Sequence, residues 1–168
     1  VRVAVTQLCP CAPHTLGATR TATTAGEGMA WWRLVLLANV ALFVIGLLVT
    51  MRSGAPISGS GLFGMLSPSS SVQLQLGLQV QSLVLNGDYW RLITCLFLHG
   101  GLMHLGFNMI ALYQIGPLIE RTFGGARTLF IWVATGALAI ILPYLVTGFL
   151  LPTLGASGSL FGFIGVAM

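Results

Sequence analysis

Two short stretches of this chain carry side chains with chemistry to do. The ten residues from His99 to Asn108 read H-G-G-L-M-H-L-G-F-N, and Gly155-Ala156-Ser157-Gly158 sets a serine between glycines. An imidazole and a carboxamide can each donate a hydrogen bond to a developing negative charge, and a serine hydroxyl becomes a nucleophile once a base takes its proton. His104 and Asn108 are four residues apart and share one face of a helix. From Gly101 to Ile119 no acid or base occurs except His104. Those 19 residues approach the roughly 20 that one bilayer crossing needs. A polar pair inside such a span must bond within the protein or serve a function, because lipid offers it no partner. Gly101, His104, Asn108, Ala111 and Ile115 continue that face with mostly small side chains, which favours close packing on another helix.

Ser157 also has two readings. A serine at a helix entrance commonly caps a free backbone N–H. The same position offers the positive end of the helix dipole and free N–H groups, which suit an oxyanion. Gly158, Gly162 and Gly165 leave one helix face nearly bare, and Phe161 follows Ser157 by one turn. The G-x-S-x-G elbow of soluble hydrolases is not met, because residue 159 is Ser.

The elements that must position these groups are apolar helices. Of the 168 residues 56% are hydrophobic and 6% charged, against about 25% charged in soluble domains, which excludes an ordinary soluble globule and a disordered chain. All seven basic residues are Arg, scattered without a basic patch, so nucleic acid is not an expected partner. Cys9, Cys11 and Cys95 give no disulfide framework, and Cys9, Cys11 and His14 make a poor metal site. No dinucleotide fingerprint, P-loop or H-E-x-x-H motif occurs.

In chain order, residues 1–29 lack periodicity and read as a disordered tail. Met29 stands before the first hydrophobic run and is the expected natural start. A first span covers residues 31–50, with Trp31, Trp32 and Arg33 as interfacial anchors. Residues 52–90 form a long connection. Within it, Ser71 to Val80 alternates polar and apolar residues, which fits either a strand or a segment half-immersed at the membrane surface. Further spans are expected at 101–119, ending at Gly116-Pro117 or shortly after, and at 128–151, kinked by Pro143. The last, 157–168, covers only about 18 Å, so the sequence is expected to be truncated inside the bilayer. The tail and both short flanks hold Arg2, Arg20, Arg33, Arg121 and Arg127, against Arg52 and Arg91 in the long connection, which puts the amino terminus inside; with Met29 as the start the count is three against two.

Trp90-Arg91, the H-x-x-x-x-H-x-x-x-N of His99, His104 and Asn108, Gly116-x-x-x-Glu120-x-x-x-Gly124, and the G-x-S-G of Gly155 to Gly158 occur in an order that resembles the rhomboid family of intramembrane serine proteases. The resemblance implies an all-α polytopic membrane protein, with about four of six core helices in a partial domain at 30–168. It implies Ser157 as nucleophile, His104 and Asn108 with the Ser157 N–H as the oxyanion site, Trp90 and Arg91 in a first-loop structure, and His99 as structural support. It implies single-pass transmembrane proteins as substrates, the lipid bilayer as surroundings, no cofactor, and a bacterial inner membrane with the amino terminus in the cytoplasm. Where the family usually has Tyr, this chain has Phe161. The family's base, a histidine in a G-x-x-x-A-H pattern on the sixth helix, has no counterpart in these residues, so this chain alone is expected to be inactive. The alternative is a non-catalytic rhomboid-like protein that binds transmembrane clients.

Overall fold

A computed structural model describes residues 30–57, 61–149 and 151–168, with Leu62 and Phe63 described by backbone alone. The readings for residues 1–29, including Cys9, Cys11 and His14, lie outside the described residues. Eight α-helices occur among the described residues: α1 (Trp31–Arg52), α2 (Gly61–Gly64), α3 (Ser70–Leu76), α4 (Gln81–Leu85), α5 (Arg91–Thr94), α6 (Leu102–Phe123), α7 (Gly125–Thr147) and α8 (Ser157–Ala167), with a 3-10 turn at Cys95–Phe97. Three of them, α1, α6 and α7, are long and apolar enough to cross a membrane, and α8 is a shorter apolar helix. The protein is an all-α, polytopic membrane bundle.

Glu120 joins the first two long helices. Its carboxylate oxygens accept from the backbone N–H groups of Trp31 and Trp32, each at 3.0 Å. The α1 entrance has no side-chain cap of its own, and Glu120 supplies both the missing acceptors and a negative charge at the helix's positive end. One turn earlier on α6, Gly116 lets the Trp32 ring come close: a Cβ there would sit 2.8 Å from Trp32 Cβ. Trp32, Val35, Leu112, Ile119, Trp132, Leu160 and Phe163 form the core where α1, α6, α7 and α8 meet.

Two expectations are narrowed. Of the two ends expected for the second span, Gly116-Pro117 or shortly after, the structure excludes the first: α6 continues through Pro117 to Phe123. Pro117 removes one N–H from the ladder, but burial of Gly116 and Ile119 and the Glu120 contact hold the last turns in place. The alternating stretch at 71–80 does not form a strand; most of it is the helix α3. Ser69 caps α3 by accepting from the Val72 N–H at 3.4 Å, and Gly77 ends it at φ +110°, a conformation that favours glycine. Val72 and Gln73 are buried side by side, the Gln73 amide donating to the Pro68 carbonyl at 3.2 Å, which the two-residue period does not anticipate.

Arg91 fastens this connecting region. Its guanidinium donates to the Leu74 carbonyl at 2.7 Å, the Leu78 carbonyl at 3.1 Å and the Asp88 carboxylate at 2.9 Å, and lies over the Trp90 ring at 4.4 Å. The Trp90-Arg91 pair therefore ties α3, the turn before α5 and α5 into one unit. That unit reaches the chain entering α8 through a single antiparallel bridge, with the Gln79 and Thr153 N–H groups donating to each other's carbonyls at 3.3 and 3.1 Å.

Candidate functional site

The start of α6, the 3-10 turn and the entrance to α8 come together at one end of the bundle. The Gly155 N–H donates to the Cys95 carbonyl at 2.9 Å, and the Thr153 bridge fixes the preceding step. Gly155 adopts φ +121°, which other residues rarely accept. Its bare α-carbon also receives the His104 ring: a Cβ at 155 would lie 2.8 Å from His104 Cε1 and Nε2. His104 thus lies against the backbone two residues before Ser157.

Ser157 is the first residue of α8 and is exposed, behind the fully buried Ala156. Ser159 takes a different part: fully buried, it donates its hydroxyl to the Trp132 carbonyl of α7 at 2.7 Å. Of the two serines, one is committed to packing and the other stands open at a helix amino terminus. Asn108 is buried and donates to the His104 carbonyl at 2.9 Å, so the pair is linked through backbone rather than ring to amide. A second Asn108 amide hydrogen remains for another acceptor.

His99 is almost wholly buried with its ring centroid 5.1 Å from that of His104, edge to face at 69°. Among the described residues neither of its ring nitrogens has a hydrogen-bond partner. Burial, with the His104 ring adding to it, pushes the His99 imidazole down to about 3, so it is neutral near pH 7. Cys95, beneath the same loop, is pushed up to about 12 by burial and stays a thiol.

The glycine face of α8 is only partly as expected. Gly158 and Gly162 allow close approach, but to Ala139 and Thr135 of α7, whereas Gly165 has open space beside it. Their bareness sets how α8 lies on α7, and His104 of α6 rests on Gly155 in the chain just before α8. Sequence reasoning missed Gly155 as the seat of His104, the Ser159 bond and the Gln79–Thr153 bridge. The glycine immediately ahead of the helix was the available signal for the first of these.

A rhomboid domain model matches residues 86–168, the segment that contains Cys95, His99, His104, Asn108, Gly155 and Ser157. The chain belongs to the rhomboid family. It is 35% identical over 102 residues to the rhomboid protease GluP of Bacillus subtilis, an alignment covering 61% of this chain and 20% of that protein. RHOMBOID-like protein 4 of Arabidopsis thaliana is 38% identical over 145 residues, covering 77% and 36%. RHOMBOID-like protein 7 of the same plant is 32% identical over 172 aligned positions, covering 90% and 55%. The chain thus spans between a fifth and about half of the length of these relatives. Relatives from a bacterium and a plant do not select one host membrane, and the expected bacterial inner membrane is not what the likeness distinguishes. In rhomboid terms, the sites brought together are the H-x-x-x-x-H-x-x-x-N helix and the G-x-S-G helix entrance.

Proposed function

We propose that this chain is part of an intramembrane serine protease of rhomboid type, acting on single-pass transmembrane proteins, with Ser157 as nucleophile. The observation that carries the reading is the exposed Ser157 at the amino terminus of α8, entered through a glycine on which the His104 ring rests. In the proposed reaction the Ser157 Oγ adds to the substrate's peptide carbonyl as a base takes its proton. The oxyanion is held by the Ser157 N–H, an N–H of His104 and the free amide hydrogen of Asn108. Collapse expels the amine, which takes the proton from the base, and water then cleaves the acyl-enzyme by the same steps in reverse order.

The base is the part that these residues do not supply. His104 as oxyanion donor cannot be the proton acceptor through the same nitrogen, and His99 is sealed away from Ser157 by burial. The resemblance assigns that role to a sixth-helix histidine. Reaction with a fluorophosphonate probe tests the proposal. The 168-residue chain is expected to remain unlabelled, and a longer form carrying that histidine to be labelled at Ser157, with Ser157→Ala abolishing the label. Labelling of the 168-residue chain at Ser157 would move the base role to His104. A histidine-bearing form that resists labelling would favour the alternative of a non-catalytic protein that binds transmembrane clients.

A further inference from the structure

The ends of α1 and α6 that Glu120 ties together enclose an open groove of about 1020 Å³. Leu36 and Leu37 of α1 and Tyr113 and Pro117 of α6 line it, and Arg33 and Arg121 border it. Both arginines are exposed. The one carboxylate lining the groove, Glu120, already has both oxygens on the N–H groups of Trp31 and Trp32, where it answers the positive end of α1. Among the described residues neither arginine has an ion pair; Arg33 lies only over the Trp32 ring, at 5.3 Å. Two guanidinium groups without an ion pair among the described residues therefore stand beside an apolar and aromatic trough. Pro117 lacks an N–H, so the Tyr113 carbonyl loses its usual donor in the helix at the same place.

We propose that this groove is a binding site for an anionic phospholipid. Its phosphate would sit between Arg33 and Arg121, with one acyl chain along Leu36, Leu37 and Tyr113. The planar forks of arginine match phosphate oxygens, and they stand beside helices that must be covered by hydrocarbon. A zwitterionic lipid would cover the apolar walls equally well but leave the two positive charges uncompensated, so charge selects the occupant. The volume lies at the top of the range of about 300–1,000 Å³ usual for ligand sites, enough for a headgroup and part of a chain. The site is separate from the proposed chemistry: Glu120 lies sixteen residues after His104 on α6, about 24 Å along the helix.

The test uses the full 168-residue chain with Trp90→Phe, which removes the exposed indole at the far end, in phosphatidylcholine vesicles. Phosphatidylglycerol with brominated acyl chains is then added in rising mole fraction, and quenching of Trp31 and Trp32 is followed above the signal of the fully buried Trp132. Quenching is expected to saturate at low fractions, with a preference over brominated phosphatidylcholine of about thirtyfold, from roughly fivefold per basic residue. Arg33→Gln with Arg121→Gln should bring that preference close to one, and the paired Lys replacements should keep most of it. Equal quenching by the two brominated lipids would overturn the proposal, as would a preference that survives the double Gln change. So would quenching that appears only after removal of residues 1–29, since the groove would then be filled by the chain's own leading segment.

Discussion

Gly155 carries two constraints at once, a backbone at φ +121° and a ring packed where a side chain would begin. Gly155→Ala should therefore destabilise the protein by about 1–3 kcal/mol, from strain and overpacking together, as read by thermal unfolding in detergent. Ser157 and Ser159 differ in the opposite way from what their proximity implies. Ser159→Ala loses a buried hydrogen bond to the Trp132 carbonyl and should cost about 0.5–1.5 kcal/mol. Ser157→Ala, at an exposed position, should stay within about 0.5 kcal/mol of the parent. If the two variants unfolded alike, the division of labour between the serines would be lost. His99 adds a pH dependence. Its folded pKa is depressed, so between about 6.5 and about 3 the unfolded chain binds a proton that the folded chain refuses. Stability from this group is then full above pH 6.5, falls as pH drops through that window, and levels off below about 3. His99→Gln should flatten this part of the pH–stability curve.

At the scale of elements, the long helices were legible and the connections were not. Spans such as Trp31–Arg52 announce themselves because some twenty mostly apolar residues admit few other structures. The stretch at Ser70–Leu76 misled because its alternation is a property of the letters, whereas a cap at Ser69 and a left-handed glycine at 77 are what set the backbone. The end of α6 is open in the sequence for a related reason: Pro117 looks like a stop when its long-range support from Glu120 and Trp32 is invisible. In the candidate site, the residue types and their spacing could be read, since His104 and Asn108 are close in sequence. The seating of His104 on Gly155 joins residues 51 positions apart, and one sequence contains nothing that pairs them. The helix junction at Glu120 gives a test of its own. Glu120→Ala leaves the Trp31 and Trp32 N–H groups without an acceptor and removes a charge from the α1 entrance, at an expected cost of about 2–3 kcal/mol in unfolding measurements. Glu120→Gln keeps an acceptor and should recover part of this loss.

At the scale of the whole molecule, the fold assigns each arginine among the described residues to one end of the bundle. The Glu120 bonds bring the start of α1 to the end of α6, and Gly125 at the start of α7 lies against the Trp31 ring, so Arg33, Arg121 and Arg127 share one membrane face. Arg52 ends α1 at the other face, together with Arg91. Arg91 is buried, paired with Asp88 and bonded to two carbonyls, so the folded structure holds it in place on that side. Basic residues near the ends of spans are retained in the cytoplasm. The face with three of them is therefore expected inside, and the end bearing Ser157 and His104 outside. Single cysteines test this in a chain with Cys9→Ser and Cys11→Ser. Cys95 can stay, since it is fully buried and held as an unreactive thiol. Asn86→Cys should react with a membrane-impermeant maleimide on intact cells, whereas Thr122→Cys should react only after the membrane is opened. The reverse pattern would turn the whole bundle over and place the proposed nucleophile on the cytoplasmic side, where it would meet the opposite ends of its substrates.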